Sequence, residues 1–150
     1  MHMGIMYSPP FPGADHSAYP FPGDHKELYS KYKNLFVLLK GKRWLLRPHA
    51  LRLVSAGAEA TTTLQPPPIA NIFQTHAGVV VTLGYGEPGS TVKVELSTEV
   101  ATTTSSAIVH HAGGQMRHID AQHGVAAPAE AMLYSVQLGS DGEAILQLRA

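Results

Sequence analysis

Four histidines and one aspartate lie close together in the second half of the chain and form its clearest chemical pattern. They are His110, His111, His118, His123 and Asp120. Imidazole and carboxylate groups are ligands for zinc and other transition metals, so the four histidines form a candidate metal site. Their spacing matches no known metal motif, and on a strand the adjacent His110 and His111 would point to opposite faces. A polar loop with surface histidines is the simpler interpretation, and we predict no cofactor.

Three further residues are candidates for contacting a ligand. Asp15 and His16 form an adjacent acid–base pair that could reach an active site on a neighbouring domain, although a turn aspartate beside a surface histidine is the simpler interpretation. Tyr85 lies between two glycines, in a predicted turn that would leave its ring exposed. An exposed ring face can stack on a sugar, so Tyr85 is a candidate carbohydrate contact.

The carboxylates of this chain are poor candidates for catalysis. Glycoside hydrolysis needs two carboxyl groups about 5–9 Å apart across the scissile bond. Most acidic residues here have structural interpretations: Asp24 as a helix cap, Glu87 and Asp141 in turns, and Glu95 on a solvent-facing strand position. A serine-hydrolase elbow of the form Gly-x-Ser-x-Gly is also missing. We therefore predict that the chain is not catalytic by itself.

Composition limits the partners of the protein. The 150 residues suit one domain, and the eleven basic residues balance the eleven acidic residues. Without net charge, the surface has no strong field to attract nucleic acid. No apolar run approaches the roughly 18 residues of a membrane span, so we predict a soluble chain without a membrane partner. The absence of cysteine excludes disulfides and thiolate ligands and leaves the compartment open.

One helix is predicted near the N-terminus, from about Lys26 to Lys40. Asp24 is placed to accept the free amide donors of the first turn as an N-cap. Gly41 is placed to adopt the left-handed conformation that commonly follows a helix. The apolar residues recur at helical spacing; they are Leu28, Tyr32, Leu35, Phe36 and Leu39.

After Gly41 the apolar period changes from helical to alternating. Trp44 and Leu46 alternate with charged neighbours, which predicts that they begin the core of a sheet. Pro48 interrupts this pattern, so the segment is one long strand bent at Pro48 or two strands joined there. Trp44 and Pro48 are thus predicted structural residues, together with Asp24 and Gly41.

Short strands separated by turn residues follow to the end of the chain. An Asp-Gly turn predicts that the last two form a closing hairpin. Such a series, after one helix, predicts a mainly β protein: an antiparallel β-sandwich of about six to eight strands with one N-terminal α-helix and an extended proline-rich arm. We assign residues 1–23 to the arm, or to a linker from an upstream domain, and residues 24–150 to the helix and sandwich. The clearest strands are Ala70–Thr75, Val79–Leu83, Thr91–Leu96, Met132–Leu138 and Ala144–Leu148.

Several short stretches resemble the C-terminal region of large bacterial glycoside-hydrolase-like proteins, in which a TIM-barrel catalytic domain is followed by a β-sandwich. The upstream stretch Pro9–His16 resembles the segment that leaves the barrel, and the likeness extends roughly from Ile5 to Leu96. The other matching stretches are Tyr29–Phe36, Leu38–Trp44, Arg47–Ala50, Ala70–Phe73 and Gly78–Val81.

The resemblance implies a non-catalytic C-terminal domain that stabilises or borders the barrel, so the expected partner is an upstream catalytic domain of the same polypeptide. It transfers no catalytic residue to this chain, because the barrel motifs would lie upstream. An autonomous carbohydrate-binding module, with carbohydrate as partner, is the first alternative. A metal-binding domain built on the histidine segment is the second.

Overall fold

The computed structural model describes residues 23–54, 68–101, 106–121 and 131–149. This part of the chain contains one long helix, α1 (Gly23–Leu38), one short helix, α2 (Thr98–Ala101), and nine strands. The strands, in chain order, are β1 (Arg43–Trp44), β2 (Leu51–Val54), β3 (Ile69–Thr75), β4 (Gly78–Gly84), β5 (Thr91–Ser97), β6 (Ser106–His110), β7 (Met116–Ile119), β8 (Ala131–Gln137) and β9 (Ala144–Arg149).

The strands form two antiparallel sheets. The six-stranded sheet A has the order β1-β3-β4-β9-β6-β7, and the three-stranded sheet B has the order β2-β5-β8. The protein is therefore mainly β, with one N-terminal helix of more than one turn, and it has the sandwich architecture that the sequence predicts. Neither helix in the described ranges has the length and apolar character needed to cross a membrane.

The central strands β4 and β9 of sheet A are buried on both faces because different elements cover them. Val81 and Leu146 face sheet B, where they pack in one core with Val94 and Tyr134. The opposite face of sheet A, which we call the helix face, packs against α1 in a second core of Val80, Ile145, Leu35 and Leu38. This double burial explains why β4 is apolar at almost every position, since alternation with polar residues is needed only where one face meets water.

Helix α1 begins and ends earlier than the sequence predicts. It starts at Gly23, so Asp24 lies inside the first turn and not at the N-cap. The backbone tightens after Leu38, where the amide of Lys40 donates to the carbonyl of Val37 (3.2 Å). Gly41 has a φ of +70°, the left-handed conformation that the sequence predicts. A Cβ atom at Gly41 would also approach the ring of the exposed His76, which can rotate away, so the positive φ is the reason that the position favours glycine.

The predicted core role of Trp44 and Leu46 is wrong. Their side chains are 52% and 85% exposed, whereas the intervening Leu45 packs against the core between the sheets. The alternation was correct, but its phase was off by one residue, which exchanges the buried and exposed faces of a strand.

The segment around Pro48 connects the two sheets. β1 pairs with β3 in sheet A, and β2 pairs with β5 in sheet B. Of the two predicted alternatives, the structure therefore has two strands, and the exposed Pro48 lies in the connection between them.

The predicted closing hairpin is also wrong. β8 pairs with β5 in sheet B, whereas β9 lies between β4 and β6 in sheet A. Gly142 does have the positive φ (+71°) typical of an Asp-Gly turn. The turn reverses the direction of the chain, but it does not decide whether the two strands that it joins pair with each other. Here the chain crosses from sheet B to sheet A after β8. A hairpin forms instead between β3 and β4, around His76 and Ala77.

The predicted arm, residues 1–23, lies outside the described residues apart from Gly23, which begins α1. The domain boundary at residue 24 therefore stays a prediction. The segment with the weakest sequence pattern, which follows α2, contains β6 and β7 and forms one edge of sheet A.

Candidate functional site

His110, one of the four predicted metal ligands, is buried on β6 and is part of a hydrogen-bonded network. Its Nε2 lies 2.8 Å from Oε1 of Gln147 on β9. The amide nitrogen of Gln147 donates to the carbonyl of Ala77 (2.7 Å), so its Oε1 is left to accept. His110 therefore carries its proton on Nε2 and donates it, and the network ties β6 and β9 to the β3–β4 turn.

Burial lowers the pKa of His110, because the charged imidazolium loses its hydration. The nearby positive charges of Arg149, His111 and His118 lower it further, while the hydrogen bond to Gln147 opposes them. The imidazole is thus uncharged at neutral pH and acts as a structural hydrogen-bond donor.

The depressed pKa of His110 predicts a pH-dependent stability. The unfolded chain takes up the proton near its ordinary pKa of about 6.5, before the folded protein does, so the free energy of unfolding should fall as the pH drops below about 6.5. Below the folded-state pKa the loss should level off. Urea unfolding between pH 5 and 8 measures the slope of the free energy of unfolding against pH. His110→Gln should reduce that slope, and the control His49→Gln, at an exposed position that does not act on His110, should keep it; equal slopes in all three proteins would refute the assignment.

Two of the other predicted metal ligands, His111 and His118, line the same cavity. His111 follows β6, and its carbonyl accepts a hydrogen bond from Nδ2 of Asn34 (3.0 Å). The Nδ1 of His111 is buried without a partner among the described residues. His118 is exposed on β7, opposite Ile108, and His123 lies outside the described residues. Within the described ranges, no group of three or more His, Cys, Asp or Glu side chains is arranged to hold a metal ion.

An open cavity lies beside this histidine segment, between the edge strand β8 and the β6–β7 end of sheet A. We call it the β7–β8 groove; its volume is about 380 Å³. Among the described residues, sheet B has three strands and ends at β8, whereas sheet A has six strands and ends at β7. Val109 and Ile119 line it with apolar surface, and its polar residues include Arg117, Asp120, Ser135 and Gln137.

Arg117 is the principal feature of the groove that sequence reasoning missed. The residue is exposed, pairs with Val109 across the β6–β7 ladder, and so shares the groove-facing side of the sheet with Val109 and Ile119. Neither Arg117 nor Asp120 has a hydrogen-bond or ion-pair partner in the described part of the chain. The available signal was the polar run Arg117-His118 before Ile119 and Asp120, but its register on a strand was not readable from the sequence.

A second candidate surface is centred on Trp44. Its ring packs on the ring of Phe73, with centroids 4.5 Å apart and planes tilted by 50°. Phe73 is fully buried, so the half-exposed indole rests on a rigid support.

The predicted contact Tyr85 lies far from Trp44. It has a φ of +61° and is 57% exposed in the turn after β4. Because Gly84 pairs with Ile69, four residues along β3 from Phe73, the two aromatic positions are separated by about 13 Å or more along the strands. They therefore do not form one continuous row of rings. Asp15 and His16 lie outside the described residues.

A third cluster of polar groups lies where α1 meets the turn before β9. The hydroxyl of Tyr32 donates to Asp141, and Nζ of Lys31 forms a 2.6 Å ion pair with the same carboxylate. The hydrogen bond from Lys31 is the largest cause that lowers the pKa of Asp141, whereas burial raises the pKa of Glu143. Carboxylates with opposite pKa shifts are typical of acid–base catalysis.

The space beside this cluster is too small for a substrate. The pocket formed by Tyr32, Leu35 and Glu143 has a volume of about 30 Å³, which is room for one or two water molecules. Oγ1 of Thr82, which is buried without a partner in the described residues, lines the same pocket. The hydrogen bond and the ion pair to Asp141 therefore hold α1 against the turn before β9. The adjacent pocket has room for an ordered water molecule but not for a sugar.

Comparison of the chain with protein-family models, with curated proteins and with solved structures finds no match.

Proposed function

We propose that this chain is a non-catalytic accessory β-sandwich domain of a glycoside-hydrolase-like protein, and that it stabilises or borders an upstream catalytic barrel. The observation that carries the proposal is the exposure of Trp44 and Leu46, two large apolar side chains in the segment that holds the resemblance. Apolar side chains exposed together in one segment favour a contact with another surface.

The position of this segment supports a role in docking. Trp44 ends β1, the edge strand of sheet A, and Leu46 follows in the connection to sheet B. Both residues alternate with Leu45, which is partly buried against the core, so they share the side of the chain that points away from it. Contact with a second domain would bury both side chains, at roughly 1.5–3 kcal/mol for each one fully buried.

Carbohydrate binding by Trp44 itself is the second candidate. An indole ring held from behind by the buried Phe73 is pre-organised, so it would lose little freedom on stacking against a pyranose. This candidate needs no barrel, which makes the two functions separable by experiment.

The first test uses the complete reading frame that contains this chain. The proposal expects a barrel-encoding region upstream, and it expects the double substitution Trp44→Ser with Leu46→Ser to lower the Tm of the barrel by at least about 2 °C. Val37→Ser, which changes an exposed apolar residue on α1, is the matched control and should leave that Tm unchanged. A frame without a barrel, or an unaltered barrel Tm, would overturn the docking role.

The second test uses the 150-residue chain and a panel of insoluble polysaccharides. Stacking on Trp44 predicts retention of the protein by at least one of them, with a loss of about tenfold in affinity for Trp44→Ala, the upper end of the roughly 0.5–1.5 kcal/mol typical of an aromatic contact. Retention that depends on Trp44 would favour the carbohydrate-binding candidate over the purely structural role. Tyr85→Ala is the matched control, because Tyr85 is about as exposed but distant.

A further inference from the structure

We propose that the β7–β8 groove is a binding site for an acidic sugar, a uronic acid unit of an oligosaccharide. This inference goes beyond the docking role, because it needs neither a barrel nor any contact at Trp44. It depends on the size of the groove, on the unpaired charges of Arg117 and Asp120 in the described part of the chain, and on the apolar side chain of Ile119 in the same lining.

The size of the groove fits a sugar unit. Binding sites for small molecules are clefts of about 300–1,000 Å³, and the groove holds about 380 Å³. Ile119, which is partly buried, forms an apolar wall of the groove, and the buried Val109 lies beside it on the adjacent strand β6. A pyranose has apolar C–H faces that can lie on such a wall while its hydroxyl groups point to the polar rim.

Arg117 provides the recognition of a carboxylate. Its guanidinium has no hydrogen-bond or ion-pair partner among the residues that the structure describes, so its donors are not engaged. A guanidinium presents parallel N–H donors that match the two oxygens of a carboxylate. By contrast, Arg52 on β2 forms an ion pair with Glu95 on the neighbouring strand β5 (2.7 Å), so its donors are engaged.

Asp120 narrows the class of ligand. A carboxylate accepts hydrogen bonds and repels anions, so a compact ligand of high negative charge, such as phosphate, is disfavoured beside it. A ligand that bears one carboxylate and several hydroxyl donors satisfies both Arg117 and Asp120. Ser135 and Gln137, on the facing strand β8, can donate to or accept from the remaining hydroxyl groups. One carboxylate, several hydroxyl groups and an apolar ring face together describe a uronic acid.

The test measures binding of three matched small molecules to the 150-residue chain by amide chemical-shift titration. Glucuronate has the carboxylate and the ring, glucose has the ring alone, and gluconate has the carboxylate and hydroxyl groups without the ring. We expect glucuronate to bind at least about tenfold more tightly than glucose, the effect of one charge-assisted hydrogen-bonded pair. Gluconate should bind more weakly than glucuronate, and the perturbed amides should lie on β6, β7 and β8. Inorganic phosphate should bind no more tightly than glucose.

Two substitutions at Arg117 make the assignment specific. Arg117→Gln should lower the affinity for glucuronate about tenfold or more and leave that for glucose unchanged. Arg117→Lys keeps the positive charge but lacks the parallel N–H donors of the guanidinium, so it should give an intermediate loss of affinity for glucuronate. The matched control is Arg43→Gln, because Arg43 is exposed on β1 at the opposite edge of the same sheet.

Three results would overturn the inference. They are equal binding of glucose and glucuronate, full affinity in Arg117→Gln, and binding of gluconate as tight as that of glucuronate, which would assign the groove to free hydroxy acids. Polysaccharide retention that depends on Trp44 should persist in Arg117→Gln. Failure of the proposed acidic-sugar site would therefore leave the carbohydrate-binding and docking roles of Trp44 untouched, and the reverse also holds.

Discussion

Replacing Phe73 with alanine is expected to lower the free energy of unfolding by about 3–5 kcal/mol, the range for removing a fully buried aromatic ring. Phe73 has no exposed surface and pairs with Val80 on the helix face of sheet A. Its removal would leave a cavity in this layer and take away the support on which the ring of Trp44 rests. The loss would be a large part of the 5–15 kcal/mol typical of a whole domain.

Urea unfolding followed by circular dichroism measures this change. The chain has one tryptophan, so its fluorescence reports on Trp44 alone and should show greater exposure to water in Phe73→Ala. Phe73→Leu keeps most of the buried volume and should cost about 1–2 kcal/mol. A loss below about 1 kcal/mol for Phe73→Ala would contradict the packing of this layer.

Replacing Gly142 with alanine is expected to lower the free energy of unfolding by about 3–4 kcal/mol, for two separable reasons. Gly142 has a φ of +71°, which strains any residue with a Cβ atom, and the added methyl would overlap the carbonyl oxygen of Gly86. That oxygen belongs to the backbone and cannot rotate away. The amide of Gly86 also donates to the carbonyl of Gly142 (3.2 Å), so the clash would force apart the two turns that carry the chain between the sheets.

Gly89→Ala separates the two reasons for the Gly142 effect. Gly89 has nearly the same φ, +74°, but a methyl group there would meet nothing within 4 Å. Gly89→Ala should therefore lower the free energy of unfolding only through the conformational strain, by about 1–2 kcal/mol. The difference in unfolding free energy between the two variants, measured by chemical denaturation, then gives the cost of the clash. Equal losses would show that the two turns are not in close contact.

The positions of the strands could largely be predicted from the sequence because they depend on local features. β3, β4 and β5 begin and end within one residue of the predicted bounds. Their alternation or β-branched runs, together with glycine- and proline-containing turns, act over a few residues. The same applies to α1, whose apolar spacing predicted its buried side although its ends differ by two or three residues.

The candidate site was only partly readable. The histidine segment was predicted as a possible metal site, and two of its members, His111 and His118, border the β7–β8 groove. It did not indicate Arg117, because a lone arginine in a segment of unknown register has no distinctive pattern. The burial of His110 also depends on Gln147, a residue 37 positions away that no local pattern connects to it.

By itself, the sequence determined the spacing of its elements: one helix, short strands, and turns that demand glycine, as at Gly41 and Gly142. Only the tertiary structure decided which strands became partners and which side of each strand was buried. Trp44 faces outward because Leu45 was drawn into the core between the sheets, and β8 and β9 separate because each finds its partners in a different sheet. Alternation fixes a period of two residues, but its phase depends on contacts between residues far apart in the chain.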